Sequence, residues 1–406
     1  MNPRLVLLAA LLPCAALAQG EQPLDFARAM AIARVQAPLL AAAEGRRQII
    51  AGRGRADAAL PNPSYEFRRE NLGAPIARDE FSQFTIPLDV TGRRALYIAA
   101  LGAAHDAGVA DSASFARSVT FEAARAWWRA SQAAAALDAV SAHRAALDEI
   151  ASWDARRAAE GAIALAAAYR TRLEADRARL DEAAARAELD VARADLARLL
   201  GIAGGAMPGV PSPPAVDAPP APEPDSAAAA AVRDRPELRL ARAAAREAAW
   251  RARAERQGVI ADASVIVGTK VTGGYASRIF GVQFPVPAFN WNSGNRERTA
   301  GERRLADAAL RDEELLVAGE ARAAARAYAA QKDAIAAIGG MGERARDVAT
   351  AADASYREGA ASIVELLDGR RAALESTLAA IRSAVALAIA RINLAHATGA
   401  PLPEFK

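Results

Sequence analysis

The sequence predicts a mainly helical protein with a small β part, built from one unit that occurs twice. Several Pro and Gly residues recur 198 positions apart, and a composition rich in Ala, Arg and Glu with helical periodicity is typical of long helices. Four short runs alternate apolar and polar residues, as strands do. The recurring residues are Pro38 and Pro236, Pro87 and Pro285, Gly161 and Gly359, and Gly201 and Gly399. A unit this long exceeds a short solenoid repeat, so a whole assembly of elements has been copied once.

Residues 1–18 have the pattern of a secretory signal peptide. Arg4 precedes a short apolar core that ends in Ala16-Leu17-Ala18, and we expect cleavage after Ala18. Cys14 raises a second interpretation, a lipidated N-terminus, although Pro13 occupies the position where a lipoprotein signal has a small residue. Since Cys14 is the only cysteine of the chain, the mature protein has neither a disulfide nor a thiol nucleophile.

The composition excludes several classes of protein. A net charge of +3 lacks the clustered basic excess of a nucleic-acid binder. We find no apolar run after the signal that is long enough to span a bilayer as a helix. No nucleophile with a base and no phosphate-binding loop occurs, and the three histidines, His105, His143 and His396, lack the spacing of metal ligands. We therefore expect no enzyme, no catalytic residue, no cofactor and no resident metal.

Each copy begins with a helix, near Leu24 in the first and near Ser226 in the second, and continues past Pro38 or Pro236 as an Arg- and Ala-rich helix. The predicted boundaries are a first repeat over 19–207 and a second over 226–406. Residues 208–225 are rich in proline and lack periodicity, which predicts a linker.

Two strand pairs follow the opening helices. The first comprises 64–70 and 81–88, with Gly73, Pro75 and Asp79 in the intervening loop; the second comprises 263–271 and 278–287 around a Thr272-Gly273-Gly274 turn. Their alternation fits a barrel wall with lipid on one side and water on the other. It fits equally a soluble antiparallel sheet with one buried face, and the strands alone do not decide.

Long helices fill the rest of each copy. The 69 residues from Gly92 to Gly161 and the 65 from Gly294 to Gly359 would each reach roughly 100 Å as continuous helix. Gly161 and Gly359 then mark turns into antiparallel return helices of similar length, with coiled-coil-like pairing.

Four short strands cannot close a barrel, and an open sheet edge is not tolerated in lipid. Other copies of the chain must therefore complete the sheet. Three copies give twelve strands, an even number that suits an outer-membrane barrel. The charged helices would project from this barrel as an α-helical tube in the periplasm.

The plan of helix, strand hairpin and long helical hairpin, present twice over the mature chain, resembles the outer-membrane factors of the TolC family. The most specific segment is 356–368, Tyr-Arg-Glu-Gly-Ala-Ala-Ser-Ile-Val-Glu-Leu-Leu-Asp, which resembles the family's second periplasmic turn. Segments 86–94 and 286–295 look most like the heavy-metal branch of the cobalt-zinc-cadmium type. The resemblance implies a homotrimeric duct that works with a periplasmic adaptor and an inner-membrane pump, the latter of the resistance-nodulation-division type.

The resemblance also implies site residues. Glu365 and Asp368, three apart on one helix, would form acidic rings at a channel constriction in a trimer, although spacing alone fits a solvated helix face. Tyr356 would carry the family's gate contact. The turns would dock the adaptor through Gly161, Ala162, Glu358, Gly359 and Ala360.

The chain departs from the family at the gate. By the alignment of the turns, the acidic partner of Tyr356 falls on Ala167 and the basic partner in the second turn falls on Ala361. We therefore expect the family's gate contact to be absent, with Arg357 or Arg157 bound to an acid in its place.

The expected function is a passive exit duct in the outer membrane, carrying heavy-metal cations. Alternatives are drug efflux or type I secretion through the same fold. A periplasmic coiled-coil adaptor is disfavoured, because an adaptor has one helical hairpin and many more strands.

Overall fold

The computed structural model describes residues 23–36, 39–70, 79–203, 207–258, 263–338 and 340–405. The expected signal peptide, Cys14, Pro38 and the loop residues Gly73 and Pro75 lie outside these ranges.

The described residues are mainly helical. In chain order the helices are α1 (Phe26–Gln36), α2 (Leu39–Ala58), α3 (Arg93–Ala159), α4 (Leu165–Leu200), α5 (Pro224–Asp234), α6 (Pro236–Gln257), α7 (Ser293–Ile338), α8 (Met341–Arg357) and α9 (Ile363–Thr398). The strands are β1 (Ser64–Glu70), β2 (Asp79–Leu88), β3 (Ala263–Thr272) and β4 (Tyr275–Gln283). The predicted fold class, long helical hairpins with four strands, is confirmed.

The duplication is visible in the return helices α4 and α9. Both contain 36 residues, and they begin 198 positions apart. Both end on a glycine with positive φ, 69° at Gly201 and 82° at Gly399, because a residue without Cβ adopts the left-handed conformation at little cost. The two repeats therefore keep the same register down to single residues in these helices.

The outgoing helices differ between the repeats. The first, α3, is one helix of 67 residues, whereas its counterpart is interrupted between α7 and α8. The sequence has a Gly339-Gly340 pair at this point, and Gly340 has a φ of 76°. The second outgoing segment therefore does not run as one continuous helix, because Gly340 is left-handed directly before α8.

The outgoing helices also begin at different residue types. Gly92, with a φ of 70°, precedes α3, and Asn292, with a φ of 58°, precedes α7. The structural counterpart of Gly92 is therefore Asn292, while Gly294 lies inside the helix. Asparagine is among the few residues with Cβ that tolerate this conformation.

The strands form one antiparallel sheet in the order β1-β2-β3-β4. Residues paired across the strands share a face, and the register aligns Tyr65, Phe84, Val267 and Phe280 in one row. The next row on that face contains Ile86, Val265 and Val282. The opposite face carries mainly polar residues, such as Glu66 paired with Gln83 and Ser264 paired with Gln283, although Phe81 lies between Arg68 and Lys270 in one row. The predicted alternation is thus clearest in the two apolar rows, while Ser82, Thr269 and Arg278 lie on the same face as those rows.

Much of the apolar face of the sheet is left exposed by the described part of the chain. Tyr65 is 55% exposed, Phe84 50%, Phe280 77% and Val282 60%. A soluble sheet buries one face, and this sheet buries neither within the chain. The soluble-sheet interpretation therefore does not describe these strands.

The second strand of the second pair is shifted towards the N-terminus relative to the predicted 278–287, because it begins at Tyr275. It ends at Gln283, the partner of Ser264, and residues 284–287 are not part of the strand. Pro285 and Pro287 lie in this segment, and neither can donate a backbone hydrogen bond to a ladder.

The largest hydrophobic core lies where α1, α3, α4 and α9 meet. Trp127 and Trp128 of α3 are almost completely buried, and Phe26 packs edge-on against Trp127 at a ring distance of 5.3 Å. Trp127 donates its indole N–H to the carbonyl of Leu24 over 2.8 Å. Since this core joins both ends of the chain to the middle of the long helices, it fixes the return helices relative to α3.

One segment of α9 is apolar enough, by length and composition, to cross a membrane. The expectation that no such run follows the signal is therefore wrong. Its apolarity has a structural explanation, because Val385, Leu387, Ala388 and Ile392 of this helix are completely buried in the cores that α9 shares with its neighbours.

The Pro-rich segment between α4 and α5 contains no helix or strand over its described residues 207–223. Two of its backbone carbonyl groups accept hydrogen bonds, one from each repeat. Ser131 donates to the carbonyl of Pro211 over 2.6 Å, and Tyr328 donates to that of Pro219 over 2.8 Å. The segment therefore lies along the helices and is bound to α3 of the first repeat and α7 of the second.

A buried carboxylate joins the helices beneath the sheet. Glu255, 3% exposed at the end of α6, accepts hydrogen bonds from Arg93 at 2.8 Å and from Tyr97, both on α3. The side chain of Asn292 donates to its other oxygen over 2.7 Å. Glu255 thus binds the starts of both outgoing helices in the two repeats.

Gly268 provides a test of the sheet. A Cβ at this position would lie 2.4 Å from the carbonyl oxygen of Ser82 and 2.7 Å from Cα of Gln83. We expect Gly268→Ala to destabilise the protein by about 1–3 kcal/mol through overpacking, seen as a lower midpoint of heat unfolding. Gly281→Ala is the matched control, because its nearest neighbour is 3.9 Å away. Equal midpoints for both variants would contradict the close approach of Gly268 to the backbone of β2.

Candidate functional site at the helical turns

The two helical turns share one backbone geometry. Gly161 has a φ of 74° and Gly359 a φ of 77°. In both turns the N–H of the next residue, Ala162 or Ala360, donates over 2.8 Å to a carbonyl five residues earlier. These are paired-hydrogen-bond helix endings of the Schellman type, for which a glycine is favoured.

The predicted docking residues are exposed in the chain. Gly161 and Ala162 lie at the first turn, and Glu358, Gly359 and Ala360 lie at the second. The structure thus presents the same backbone surface twice, with an acidic residue directly before each glycine, Glu160 or Glu358.

The helices after the two turns begin differently. Ala164 precedes α4 and gives no side-chain cap, whereas Ser362 precedes α9 and forms a capping box with Glu365. The Glu365 carboxylate accepts from the Ser362 N–H over 2.6 Å, and the Ser362 hydroxyl accepts from the Glu365 N–H over 3.3 Å. This is the Ser-x-x-Glu pattern, which the sequence displays and which assigns Glu365 a local role.

Glu365 and Asp368 are both exposed at the start of α9. The hydrogen bonds from the backbone and side chain of Ser362 lower the pKa of Glu365. Glu365 is therefore ionised at neutral pH within the single chain. Among the described residues, the hydrogen bonds of the Glu365 side chain are local ones to Ser362.

Tyr356 has an acidic partner that the sequence alignment missed. Its hydroxyl donates to Oδ1 of Asp154 over 2.8 Å, and both residues are buried. Position 167 on α4 is alanine, as the alignment of the turns has it, and the acid that accepts from Tyr356 comes instead from the end of α3. The bond connects the two repeats, because Asp154 belongs to the first repeat and Tyr356, 202 positions later, belongs to the second.

Aromatic and aliphatic side chains surround this bond. Trp153 packs edge-on against Tyr356 with 5.8 Å between ring centroids, and Ile150, Tyr356 and Leu366 form one buried cluster. Arg157 stacks its guanidinium on Trp153 at 4.4 Å. The hydrogen bond is therefore shielded from water.

One of the two expected arginine contacts is present. Arg357 donates to Glu149 over 2.9 Å, although both side chains are largely exposed. Such a surface ion pair contributes little to stability, and the buried Tyr356–Asp154 bond dominates the connection. Arg157 interacts with Trp153 instead of an acid.

Asp154 is unusual because its side chain is completely buried and its one side-chain hydrogen bond among the described residues comes from a neutral donor, the hydroxyl of Tyr356. Its second oxygen, Oδ2, has no partner among the described residues. A signal for this residue exists in the sequence: Leu147, Ile150 and Asp154 follow one helical stripe, so an acid occupies an apolar position.

Within the described part of the chain, no three His, Cys, Asp or Glu side chains cluster as a metal site requires. The pKa of His396 is lowered to about 4, mainly by burial and also by Arg117 and Arg125. His396 lies far along α9 from the turns.

Replacing Tyr356 tests the buried bond. We expect Tyr356→Phe to lower the free energy of unfolding by about 1–3 kcal/mol, because Asp154 loses its donor while remaining buried. Tyr169→Phe is the matched control, since Tyr169 is 65% exposed. Denaturant unfolding of both variants provides the measurement, and equal losses would contradict the role of the bond.

The same bond predicts a response to alkali. Burial and the hydrogen bond to Asp154 raise the pKa of Tyr356 to about 12, against 10 for an ordinary tyrosine. As the pH rises, Tyr356 loses its proton in the unfolded chain before it does so in the folded one. The stability that this pKa difference provides is therefore complete below pH 10 and is lost as the pH rises to 12. The ultraviolet absorbance of tyrosinate should show a late-titrating component that decreases by one group in Tyr356→Phe; unchanged titration curves would refute this assignment.

The arrangement of the chain matches solved membrane channels. No protein-family model matches the sequence, and no curated relative matches it significantly. The structure is similar to that of CusC, which forms a transmembrane channel, with a TM-score of 0.76 and 17% identity over 97% of this chain and 96% of that one. It is also similar to the outer-membrane channel CmeC of Campylobacter jejuni, with a TM-score of 0.78 and 14% identity over 92% of this chain and 85% of that one. A third similar structure is the open state of the outer-membrane channel MtrE of Neisseria gonorrhoeae, with a TM-score of 0.74 and 19% identity over 92% of this chain and 89% of that one. The chain therefore has the fold of the TolC-type outer-membrane channels.

Proposed function

We propose that this protein is the outer-membrane exit duct of a tripartite efflux pump. Three copies would form a twelve-stranded barrel in the outer membrane, continued by a helical tube in the periplasm. The duct would be passive and non-enzymatic, and an inner-membrane pump and a periplasmic adaptor would supply energy and substrate.

The observation that carries this proposal is the uncovered sheet. Among the described residues, its apolar face has no covering element and its edge strands β1 and β4 have no further strand beside them. Such a sheet is stable where lipid covers the apolar rows and where neighbouring copies pair with both edges. The polar rows, with Glu66, Arg68, Gln83 and Lys270, would then line a wet interior.

The length of the helices supports a tube. At the helical rise, the 67 residues of α3 extend for roughly 100 Å, far more than a compact domain requires. The described helices carry many charged side chains on their exposed surfaces, so water rather than lipid would surround them.

The turns would form the periplasmic tip. Tyr356 would act as a gate contact, because its bond to Asp154 holds the second hairpin against the first. The exposed turn residues Gly161, Ala162, Glu358, Gly359 and Ala360 would dock an adaptor. Glu365 and Asp368 would form two acidic rings that favour cations at the constriction.

Heavy-metal cations are the substrates that we favour, with a pump of the resistance-nodulation-division type as partner. The support is the likeness of segments 86–94 and 286–295 to the heavy-metal branch. Drug efflux and type I secretion are the alternatives within the same fold.

Single-channel recording tests the duct. The detergent-purified mature protein should have the mass of a trimer and should form stable, cation-selective channels in a planar bilayer. A monomer that stays in solution and never inserts would refute the barrel and leave the exposed apolar face of the sheet unexplained.

Charge removal tests the constriction. Because Glu365 also caps α9, Glu365→Gln retains an acceptor for the cap while removing the charge. We expect Glu365→Gln with Asp368→Asn to reduce cation selectivity and block by polyvalent cations. The matched control is Glu358→Gln, which removes an exposed charge at the turn. Unchanged selectivity in the double variant would overturn the acidic rings.

A further inference from the structure

A groove runs along α6, and α3, α6 and α7 all line it. Its volume is about 980 Å³. Since α6 packs against α3 on one side and against α7 on the other, the groove is formed within a single chain. Its residues on α3, within 105–113, lie between the start of that helix beneath the sheet and the core around Trp127.

Apolar side chains form most of the inner surface of the groove. They are Val109, Ala110 and Ala113 of α3, Ala245 and Ala249 of α6, and Leu310 of α7. Most of these residues are alanines, so small side chains leave the space between the helices open. A concave, mainly apolar surface with a few convergent polar groups is typical of a binding site for a small organic molecule.

Three arginines of α6 line the same groove. Arg239, Arg242 and Arg246 follow each other at spacings of three and four residues, so they lie on one face of the helix. The acids of the lining are Asp106 of α3 and Asp307 of α7. Three guanidinium groups against two carboxylates give the groove a positive charge at neutral pH.

The arginines are available to a ligand. Arg246 is 3.2 Å from Asp106 and Arg242 is 3.6 Å from Glu314, and the side chains of both pairs are between 41% and 60% exposed. Arg239 is exposed as well. Exposed ion pairs of this kind contribute little to stability, so these guanidinium groups can exchange them for a ligand anion at small cost.

The row of arginines is not part of what the duplication repeats. The equivalent positions on α2, 198 residues earlier, carry Ala41, Glu44 and Gln48. Helix α2 packs against the outgoing helix α3 as α6 packs against α7. A helix in this place therefore does not need arginine at these positions for its formation or its packing.

We propose that the groove binds an amphipathic organic anion, with an apolar chain and a carboxylate head. The chain lies along the alanines, and the carboxylate accepts paired hydrogen bonds from Arg239 and Arg242, a geometry that the planar guanidinium group favours. An amphipathic cation would fit the apolar lining but would be repelled by the arginines. His105, the remaining titratable residue of the lining, carries no negative charge that would change this preference. The site goes beyond the proposed duct, because it lies in one chain and takes a ligand other than metal cations.

Protection of a cysteine tests the site. The sequence has no cysteine after the expected signal peptide, so Val109→Cys, at a position that is 48% exposed, places a single thiol in the groove. The purified mature protein in lipid nanodiscs would be labelled with a maleimide in the presence of dodecanoate or of dodecyltrimethylammonium, which has the same chain and the opposite charge. We expect dodecanoate to slow labelling severalfold and dodecyltrimethylammonium to leave its rate unchanged. Glu358→Cys, at the exposed second turn, is the matched control and should label at one rate throughout.

Removal of the arginine charge tests the ligand class. In the Val109→Cys background, we expect Arg239→Gln with Arg242→Gln to raise the dodecanoate concentration for half-protection by roughly tenfold or more, because a lost hydrogen bond between charged groups costs about that factor. Arg256→Gln removes an exposed charge from the end of the same helix, outside the groove, and should leave that concentration unchanged. Equal concentrations in the two variants would contradict the role of the arginines.

Three results would overturn the site. Equal protection by both amphiphiles would show that charge plays no part in binding. A thiol that labels freely at every dodecanoate concentration would show that the groove does not bind the anion, and a thiol that never labels would show that another protein or another copy of the chain covers it. None of these results depends on conduction, so the duct stands or fails separately, by the mass of the assembly and its currents in a bilayer.

Discussion

The uncovered sheet is the constraint on which the rest of the structure depends. Four strands pair in sequence order, with two apolar rows on one face, and none of the described residues covers those rows. An isolated sheet of this kind would expose both hydrophobic surface and unpaired backbone groups. In the proposed duct, lipid and further copies would resolve both problems together, which would explain why a chain with long polar helices also carries such strands.

The duplication does not make the two repeats chemically equivalent. Each chain contains two similar hairpins, and they contact each other near the turns. This contact has a buried hydrogen bond from Tyr356 to Asp154, with Trp153 beside it. The equivalent positions 198 residues away, Ala158 and Ala352, carry alanine. The buried bond therefore belongs to one pairing of the repeats and is not repeated by the duplication.

Two buried acids hold the repeats together at opposite ends of α3. Glu255 connects the starts of the outgoing helices beneath the sheet, and Asp154 connects the hairpins near the turns. Glu255 accepts from Arg93, a cation, whereas Asp154 accepts from a neutral phenol. A paired charge is costly to separate, while a single neutral hydrogen bond is weaker. The end beneath the sheet is therefore the more firmly fixed of the two.

The sequence by itself determined the duplication, the bounds of β1 and the glycine ends of the helices, because these follow from local preferences and from positions that recur along the chain. It also contained the Ser362-x-x-Glu365 cap. Tertiary structure alone decided that Tyr356 meets Asp154, since no local rule relates residues 202 positions apart. It also decided that part of the apolar α9 is buried in cores shared with neighbouring helices, and that the described residues leave the sheet exposed, since burial depends on which elements meet.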